Sequence, residues 1–302
     1  MGLVTGYLFF LISSLPVTVP DATDNCVHLM TGDTLYATSF SGERANWYYA
    51  VPVRWAYDNM IPGGEPMGLG VDTLRYRLFP LSSGVSYISL IPGEEALLPS
   101  PGVFYLTADP PSELLADTVA AVEPLHLQYP DCVIQVVSRP SDDYTGYLFE
   151  MINAPFLMTP RLTVGGNHQA DCRLGCDCAG LAVYGARRMG LDIPYAGPLG
   201  IVRYLTSVVP GEFLPDSSID PVVYISGYGD SVPVGSGGLV PGDIVHFGTQ
   251  VSVFLEDKGV IGTLDPEDML IQSWFDGPHV CAIRDCGFYH LPLRVFRWSA
   301  SE

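Results

Sequence analysis

The most informative segment of the chain is residues 175–190, Gly175-Cys176-Asp177-Cys178-Ala179-Gly180-Leu181-Ala182-Val183-Tyr184-Gly185-Ala186-Arg187-Arg188-Met189-Gly190. It predicts an amphipathic helix, because Asp177 suits the N-cap and Gly190 suits the left-handed position after the last turn. Cys178 then lies in the first turn, where free backbone N–H groups and the positive end of the helix dipole favour a thiolate. We therefore predict a nucleophilic Cys178, against the alternative of a buried cysteine that acts as a small hydrophobic residue.

Residues 175–195 resemble the nucleophile segment of the NlpC-type cell-wall peptidases, a papain-like family of cysteine hydrolases. Residues 147–156 resemble the family's first helix and the extended segment before the nucleophile, and residues 241–248 and 251–257 resemble its first two core strands. The resemblance spans residues 140–275. It implies an α+β domain in which the cysteine helix packs on an antiparallel sheet. It also implies a histidine base on the second core strand and a polar orienting residue on the third.

Glutamines occupy both positions at which the family has catalytic side chains on these strands. Gln250 stands where the histidine base is expected, and Gln272 stands at the orienting position. A glutamine can orient an imidazole, but it cannot accept a proton at neutral pH. Either the base comes from another position or the site is inactive.

His246 is the predicted base, and its orientation depends on the length of the following loop. If residues 247–249 form a three-residue hairpin loop, His246 lies opposite Gln250 and shares its face of the sheet. A two-residue turn at residues 248–249 instead pairs Phe247 with Gln250 and directs His246 to the other face. The sequence leaves both registers open. The structural alternative for His246 is an ordinary hydrogen-bonded histidine of the sheet.

The mechanism that follows is an acyl transfer to sulfur. The Cys178 thiolate attacks an amide carbonyl, His246 carries the proton to the leaving amine, and Gln272 holds the imidazole ring. Gln250 or the backbone N–H of Cys178 stabilises the oxyanion. Further residues are expected to border the substrate: Phe156, which replaces the family's usual tyrosine, His168, which is also the reserve base, and Asp177. The resemblance implies peptidoglycan stem peptides, or another amide-containing substrate, with no cofactor or metal. The competing hypothesis is a pseudoenzyme that binds wall fragments or a protein partner.

The charge balance argues against nucleic acid as a partner. The 302 residues carry 14 Lys and Arg against 33 Asp and Glu, a formal net charge of −19. Nucleic-acid binding normally needs a basic face. Hydrophobic residues make up 48% of the chain, which is ample for a packed core.

The first residues include an apolar run, residues 3–15, that has the length of a signal peptide and is too short to span a bilayer. It predicts a signal peptide over residues 1–22 and a secreted or periplasmic protein with no membrane span in the mature chain. No Lys or Arg precedes the run, and a buried first strand is the alternative.

Seven cysteines are compatible with an oxidising compartment, because six of them could form three disulfides and leave Cys178 free. Two of the conceivable bridges would close short loops: Cys172 with Cys176, and Cys281 with Cys286. A zinc site is the alternative for the cluster His168, Cys172, Cys176 and Cys178. Its spacing lacks the paired C-x2-C knuckles of common zinc sites.

The first hundred residues differ from the rest of the chain. Short aromatic and β-branched segments separated by Gly and Pro predict an all-β, sandwich-like accessory domain over residues 23–110. Residues 111–130 form the predicted junction, and residues 131–302 form the predicted hydrolase domain. The remaining histidines are predicted to be surface or structural residues: His28, His126, His279 and His290.

Overall fold

The computed structural model describes residues 8–10, 26–39, 43–52, 74–93, 101–109, 120–122, 133–160, 162 and 167–299. The chain divides into two compact units. The first unit comprises Met1–Asp142 and Phe149–Gly175, and the second comprises Asp143–Leu148 and Cys176–Glu302. The described residues form a mixed α+β structure that is mostly sheet with few helices, so the predicted α+β class is confirmed.

The first unit is built from strands. They are β1 (Leu8–Phe10), β2 (Cys26–Met30), β3 (Leu35–Ser39), β4 (Ala45–Pro52), β5 (Leu74–Val85), β6 (Tyr87–Leu90), β7 (Gly102–Ala108), β8 (Ala120–Val122) and β9 (Val133–Arg139). One sheet has the order β2-β9-β7-β4-β5-β8, and a second has the order β1-β3-β6. Strand β2 runs parallel to β9, and the other pairs are antiparallel.

Side chains from both sheets of the first unit share one hydrophobic core. In β2 the alternation of the strand directs Val27 and Leu29 into the hydrophobic core, while Cys26, His28 and Met30 lie on the other face. Trp47 from β4 and Phe104 from β7 are among the largest fully buried side chains. Burial of one such side chain stabilises the fold by about 1.5–3 kcal/mol.

The division between the units differs from the predicted domain boundary. Strand β9 was expected to open the hydrolase domain, which was predicted to begin at residue 131. It instead pairs with β2 and β7 and forms part of the first unit's large sheet. Strand β8 lies in the predicted junction and pairs with β5. Within the predicted signal peptide, Leu8–Phe10 form strand β1, which pairs with β3.

The second unit combines short helices with a seven-stranded sheet. Its helices are α1 (Tyr144–Phe149), α2 (Cys178–Arg188) and α3 (Pro198–Ile201), and short 3-10 helices cover Val202–Tyr204 and Ile283–Asp285. Its strands are β10 (Leu205–Asp216), β11 (Val223–Ser226), β12 (Ile244–His246), β13 (Val251–Glu256), β14 (Met269–Trp274), β15 (Gly277–Ala282) and β16 (Leu293–Trp298). The sheet is antiparallel in the order β11-β10-β16-β12-β13-β14-β15.

The two faces of this sheet have different partners. Helix α2 packs on β13 and β14. The side that it covers, which we call the helix face, carries Ile244, His246, Val251, Val253, Ile271 and Ser273, as the strand registers require. The opposite side, the core face, carries Val245, Phe247, Phe254, Leu270 and Val295, which belong to a separate hydrophobic cluster.

Candidate functional site

Helix α2 forms as the sequence predicts. Cys178 is its first residue, and the Asp177 side chain caps it by accepting the Gly180 N–H at 2.6 Å. Gly190, just beyond the last turn, has a φ of 88°, which glycine adopts without steric cost. The local sequence therefore fixes the position of the Cys178 sulfur.

The environment of the Cys178 thiol does not favour the thiolate. Only 6% of the residue is exposed, and burial raises the pKa of the thiol to about 12. The negative charge of Asp177 raises this pKa further, whereas backbone N–H groups, including that of Val251, lower it. The expected activation by the helix end is therefore outweighed by desolvation. Burial therefore opposes the thiolate expected at Cys178, and a nucleophilic Cys178 stays a prediction.

The β12–β13 hairpin has the register of the two-residue turn. His246 pairs with Val251, and the Phe247 N–H donates to the Gln250 carbonyl at 2.9 Å. Of the two registers that the sequence leaves open, the one that places His246 opposite Gln250 does not form. A shift of one residue in a hairpin turns every side chain of the strand to the other face.

Hydrogen bonds engage both ring nitrogens of His246. Nδ1 accepts the Gly248 N–H at 3.1 Å, and Nε2 lies 2.9 Å from the Pro198 carbonyl oxygen. Because Nδ1 is an acceptor, the proton is assigned to Nε2, which donates to Pro198. Burial lowers the pKa of His246, which favours the neutral ring. In this arrangement His246 has no lone pair left for the proton of Cys178.

The two glutamines lie on the core face, away from the helix that carries Cys178. Gln250 Nε2 donates to Gln272 Oε1 at 3.1 Å, and Ser252 Oγ donates to the same oxygen at 3.3 Å. Gln272 Nε2 donates to the Cys286 carbonyl at 3.2 Å. Gln272 therefore does not orient the His246 ring, and Gln250 does not face the thiol. The structure does not bring the four predicted catalytic residues together.

The residues expected to border the substrate have structural roles or lie in the first unit. Asp177 is the N-cap of α2. Phe156 belongs to the first unit and is buried. His168 also belongs to the first unit, where its Nδ1 accepts the Ala170 N–H at 3.3 Å within a turn.

The cysteines form neither of the two short-loop bridges considered above. Cys176, Cys178, Cys281 and Cys286 are free thiols, and no disulfide joins two cysteines of the described ranges. Cys132 lies outside those ranges. Within the part of the chain that the structure describes, no group of three or more His, Cys, Asp or Glu side chains is placed to hold a metal ion.

The first unit contains a thiol–imidazole pair that the sequence does not single out. Cys26 Sγ lies 3.6 Å from His28 Nε2, and the His28 Nδ1 lies 3.5 Å from Glu150 Oε1. His28, which the sequence predicts to be a surface or structural residue, has a side chain that is only 4% exposed in this pair. One signal was available: residues two apart on a strand share a face, so Cys26-Val27-His28 places sulfur and imidazole side by side.

A cavity of about 600 Å³ lies in the second unit, within the range typical of small-molecule sites. Its lining combines apolar and charged side chains, among them Pro215, Asp220, Val222, Pro266, Arg284 and Tyr289. Asp265 and Glu267 also line it, so that carboxylates outnumber the single arginine. Glu267 is paired with Arg284.

One wall of the cavity is organised by its own carboxylates. The Asp265 side chain accepts the backbone N–H groups of Val260 and Glu267, the latter at 2.6 Å. Asp268, directly behind, accepts the N–H groups of Lys258 at 2.7 Å and Asp265 at 2.9 Å. Burial raises the pKa of Asp268 to about 7. These bonds hold the loop in one conformation, so the cavity is preformed.

Among the described residues, no helix is both long and apolar enough to cross a membrane. Comparison of the chain with protein-family models, with curated proteins and with solved structures finds no significant match.

Proposed function

We propose that the second unit is a papain-like, NlpC-type domain that acts as a binding module and does not use Cys178 as a nucleophile. A cysteine-bearing helix packed on antiparallel strands β13 and β14 supports the family proposal. One observation carries the non-catalytic part. The Cys178 thiol is buried with a pKa of about 12, and the His246 imidazole on the same face has both nitrogens engaged elsewhere.

The cavity is the proposed binding site of this module. Its proline, valine and tyrosine side chains suit an apolar body, and its volume of about 600 Å³ suits a short peptide. Backbone N–H groups of the loop that carries Asp265 donate to the Asp265 and Asp268 carboxylates and hold the loop in place, so little conformational entropy is lost when a ligand binds.

The charges of the cavity favour a cationic ligand group. Arg284 is already paired with Glu267, and the Asp220 carboxylate on the rim makes no hydrogen bond or ion pair within the described residues. The formal net charge of −19 adds a general attraction for cations. We therefore propose a peptide with a free side-chain amine, as in peptidoglycan stem peptides that contain a diamino acid.

The test is calorimetric titration of the full chain with a purified disaccharide–tetrapeptide wall fragment that carries this amine. We expect binding, and we expect Asp220→Asn to weaken it about fivefold, the equivalent of about 1 kcal/mol for one exposed ion pair. Acetylation of the ligand amine should cause a similar loss. The matched control is Asp230→Asn, which removes the same charge from an exposed residue outside the cavity lining.

Two results contradict the proposal. The first is the absence of binding to the folded wild-type chain. The second is equal weakening by Asp220→Asn and Asp230→Asn, which would show a general charge effect instead of a site.

The second candidate function is hydrolysis of an amide bond by Cys178, as the family resemblance implies. One observation favours it: His246 lies on the helix face directly opposite Val251, whose backbone is hydrogen-bonded to the Cys178 sulfur. Catalysis requires His246 to leave Pro198 and Gly248 and turn toward the thiol. Reaction of Cys178 with a thiol probe distinguishes the two functions, as developed in the Discussion.

For the first unit we propose the sandwich-like accessory role. Two sheets that share one hydrophobic core support it. A ligand from the cell wall fits a secreted or periplasmic location, which forms part of the same proposal.

A further inference from the structure

We propose that Cys26 of the first unit is a reactive thiolate, with His28 as its catalytic base and Glu150 as a positioning residue. The site accepts acyl groups from activated esters or thioesters. It lies within one compact unit and is independent of the function proposed for the second unit.

The Cys26 sulfur lies next to a positively charged side chain. Arg173 Nη2 lies 3.2 Å from Cys26 Sγ, and Arg173 Nε donates to Gln135 Oε1 at 2.9 Å. Only 2% of Arg173 is exposed, so its guanidinium is held in place close to the sulfur. A guanidinium remains charged at all physiological pH values, and a thiolate beside it is stabilised.

An imidazole also lies within reach of the sulfur. Strand β2 places Cys26 and His28 on one face, with 3.6 Å between Sγ and Nε2. Nδ1 lies 3.5 Å from Glu150 Oε1 and 3.4 Å from Arg139 Nη1. When Nδ1 donates to Glu150, Nε2 has a lone pair that accepts the proton of the Cys26 thiol, which gives a thiolate beside an imidazolium. When Nδ1 accepts from Arg139, Nε2 carries the proton and donates to the sulfur.

The histidine is buried and fixed in place, whereas the thiol is partly exposed. The His28 and Glu150 side chains are only 4% and 0% exposed, and Glu150 is fixed by an ion pair with Arg139 at 2.9 Å. Cys26, in contrast, is half-buried, so a small electrophile has a route to it from solvent. A base within reach of an accessible thiol, and itself oriented by a third group, is the arrangement that nucleophilic catalysis requires.

The chemistry is a two-step acyl transfer. The Cys26 sulfur forms a bond to the acyl carbon, the bond from that carbon to its leaving oxygen or sulfur breaks, and the His28 Nε2 proton passes to the leaving group. Water then attacks the thioester with His28 as base, the carboxylic acid leaves, and the thiol is restored. No other reactant is needed.

The experiment uses the full chain and p-nitrophenyl acetate as the probe. We expect a burst of p-nitrophenol and an acetyl group on the peptide that contains Cys26, as found by mass spectrometry. Cys26→Ala abolishes both, while Cys281→Ala, which removes another half-buried thiol, leaves both unchanged. His28→Gln slows the acylation of Cys26 at least about a hundredfold, the lower end of the typical effect of a general base.

A second measurement on the wild-type chain does not depend on how the variants fold. The acylation rate of Cys26 is followed against pH beside that of N-acetylcysteine. We expect the protein thiol to keep its rate at acidic pH values where the small thiol has lost it, because the Arg173 guanidinium and the His28 imidazole contact the sulfur, whereas the carboxylates of Glu150 and Asp142 are paired with Arg139. The proposal is overturned if the acetyl group is on another cysteine, if the two pH profiles coincide, or if folded His28→Gln reacts at the wild-type rate.

Discussion

Cys178 should react with iodoacetamide far more slowly than an ordinary thiol in the native protein. Its pKa is raised from 9.0 to about 12, and each pKa unit lowers the thiolate fraction tenfold. At neutral pH the reactive form is therefore about a thousandfold rarer than in an unperturbed cysteine. With 6% of the residue exposed, steric shielding slows the reaction further.

The matching perturbation is His246→Gln. Because both ring nitrogens of His246 are bonded to Pro198 and Gly248, its removal should leave the alkylation rate of Cys178 within about twofold of wild type. A glutamine amide retains a donor for the Pro198 carbonyl, so the loop is expected to keep its place.

The assay is quantitative mass spectrometry of the Cys178 peptide after timed exposure to iodoacetamide, with glutathione as the reference thiol. Alkylation in guanidinium chloride is the control, since the unfolded chain should label at the rate of a free cysteine. Rapid native labelling of Cys178 that His246→Gln slows would refute the reasoning and restore the hydrolase as the better proposal.

Three further predictions concern stability and are measured by urea unfolding. Asp177→Ala removes the acceptor of the Gly180 N–H bond at 2.6 Å and should lower the unfolding free energy by about 1 kcal/mol. Asp177→Asn can still cap the helix and should lower it less. Equal losses in the two variants would count against the cap. Gly185→Ala places a Cβ 2.6 Å from a methyl group of buried Leu148. This variant should lower the unfolding free energy by about 1–3 kcal/mol despite the better helix propensity of alanine. A stabilised variant would contradict this packing. Burial raises the pKa of Asp268 to about 7, so the folded state keeps a proton that the unfolded state loses near pH 4. Its contribution to stability is complete below about pH 4 and is lost as the pH rises through about 7, by at most about 4 kcal/mol. In Asp268→Asn this part of the pH dependence should disappear, and an unchanged pH profile would exclude Asp268 as its source.

The sequence predicts helix α2 correctly because every signal for it is local. The N-cap Asp177, the buried run after Cys178 and the left-handed Gly190 all act within a few residues of one another. The same locality explains why the sequence does not reveal the raised pKa of the Cys178 thiol. The helix end is visible in the sequence, but the burial that raises this pKa comes from strands some seventy residues further along the chain.

The hairpin register marks the limit of sequence reasoning in this protein. One residue more or less in the loop after His246 decides whether the imidazole shares a face with Gln250, and both loops suit the sequence. The network around Cys26 lies beyond that limit for another reason. Its neighbours Gln135, Glu150 and Arg173 are more than a hundred positions away in the chain and meet Cys26 only through the parallel pairing of β2 with β9 and the turns that follow it.

The protonation state of His246 distinguishes a non-catalytic site from a thiolate–imidazolium pair, and the nitrogen-15 chemical shifts of its ring report this state by NMR. Assignment of the signal by His246→Gln is straightforward, because the chain has six histidines. If the second unit is a binding module, we expect a neutral ring at neutral pH, with its proton on Nε2 and with chemical shifts that Cys178→Ser does not change. A positively charged ring that becomes neutral in Cys178→Ser would reveal a thiolate–imidazolium pair and contradict the proposal that Cys178 is not a nucleophile.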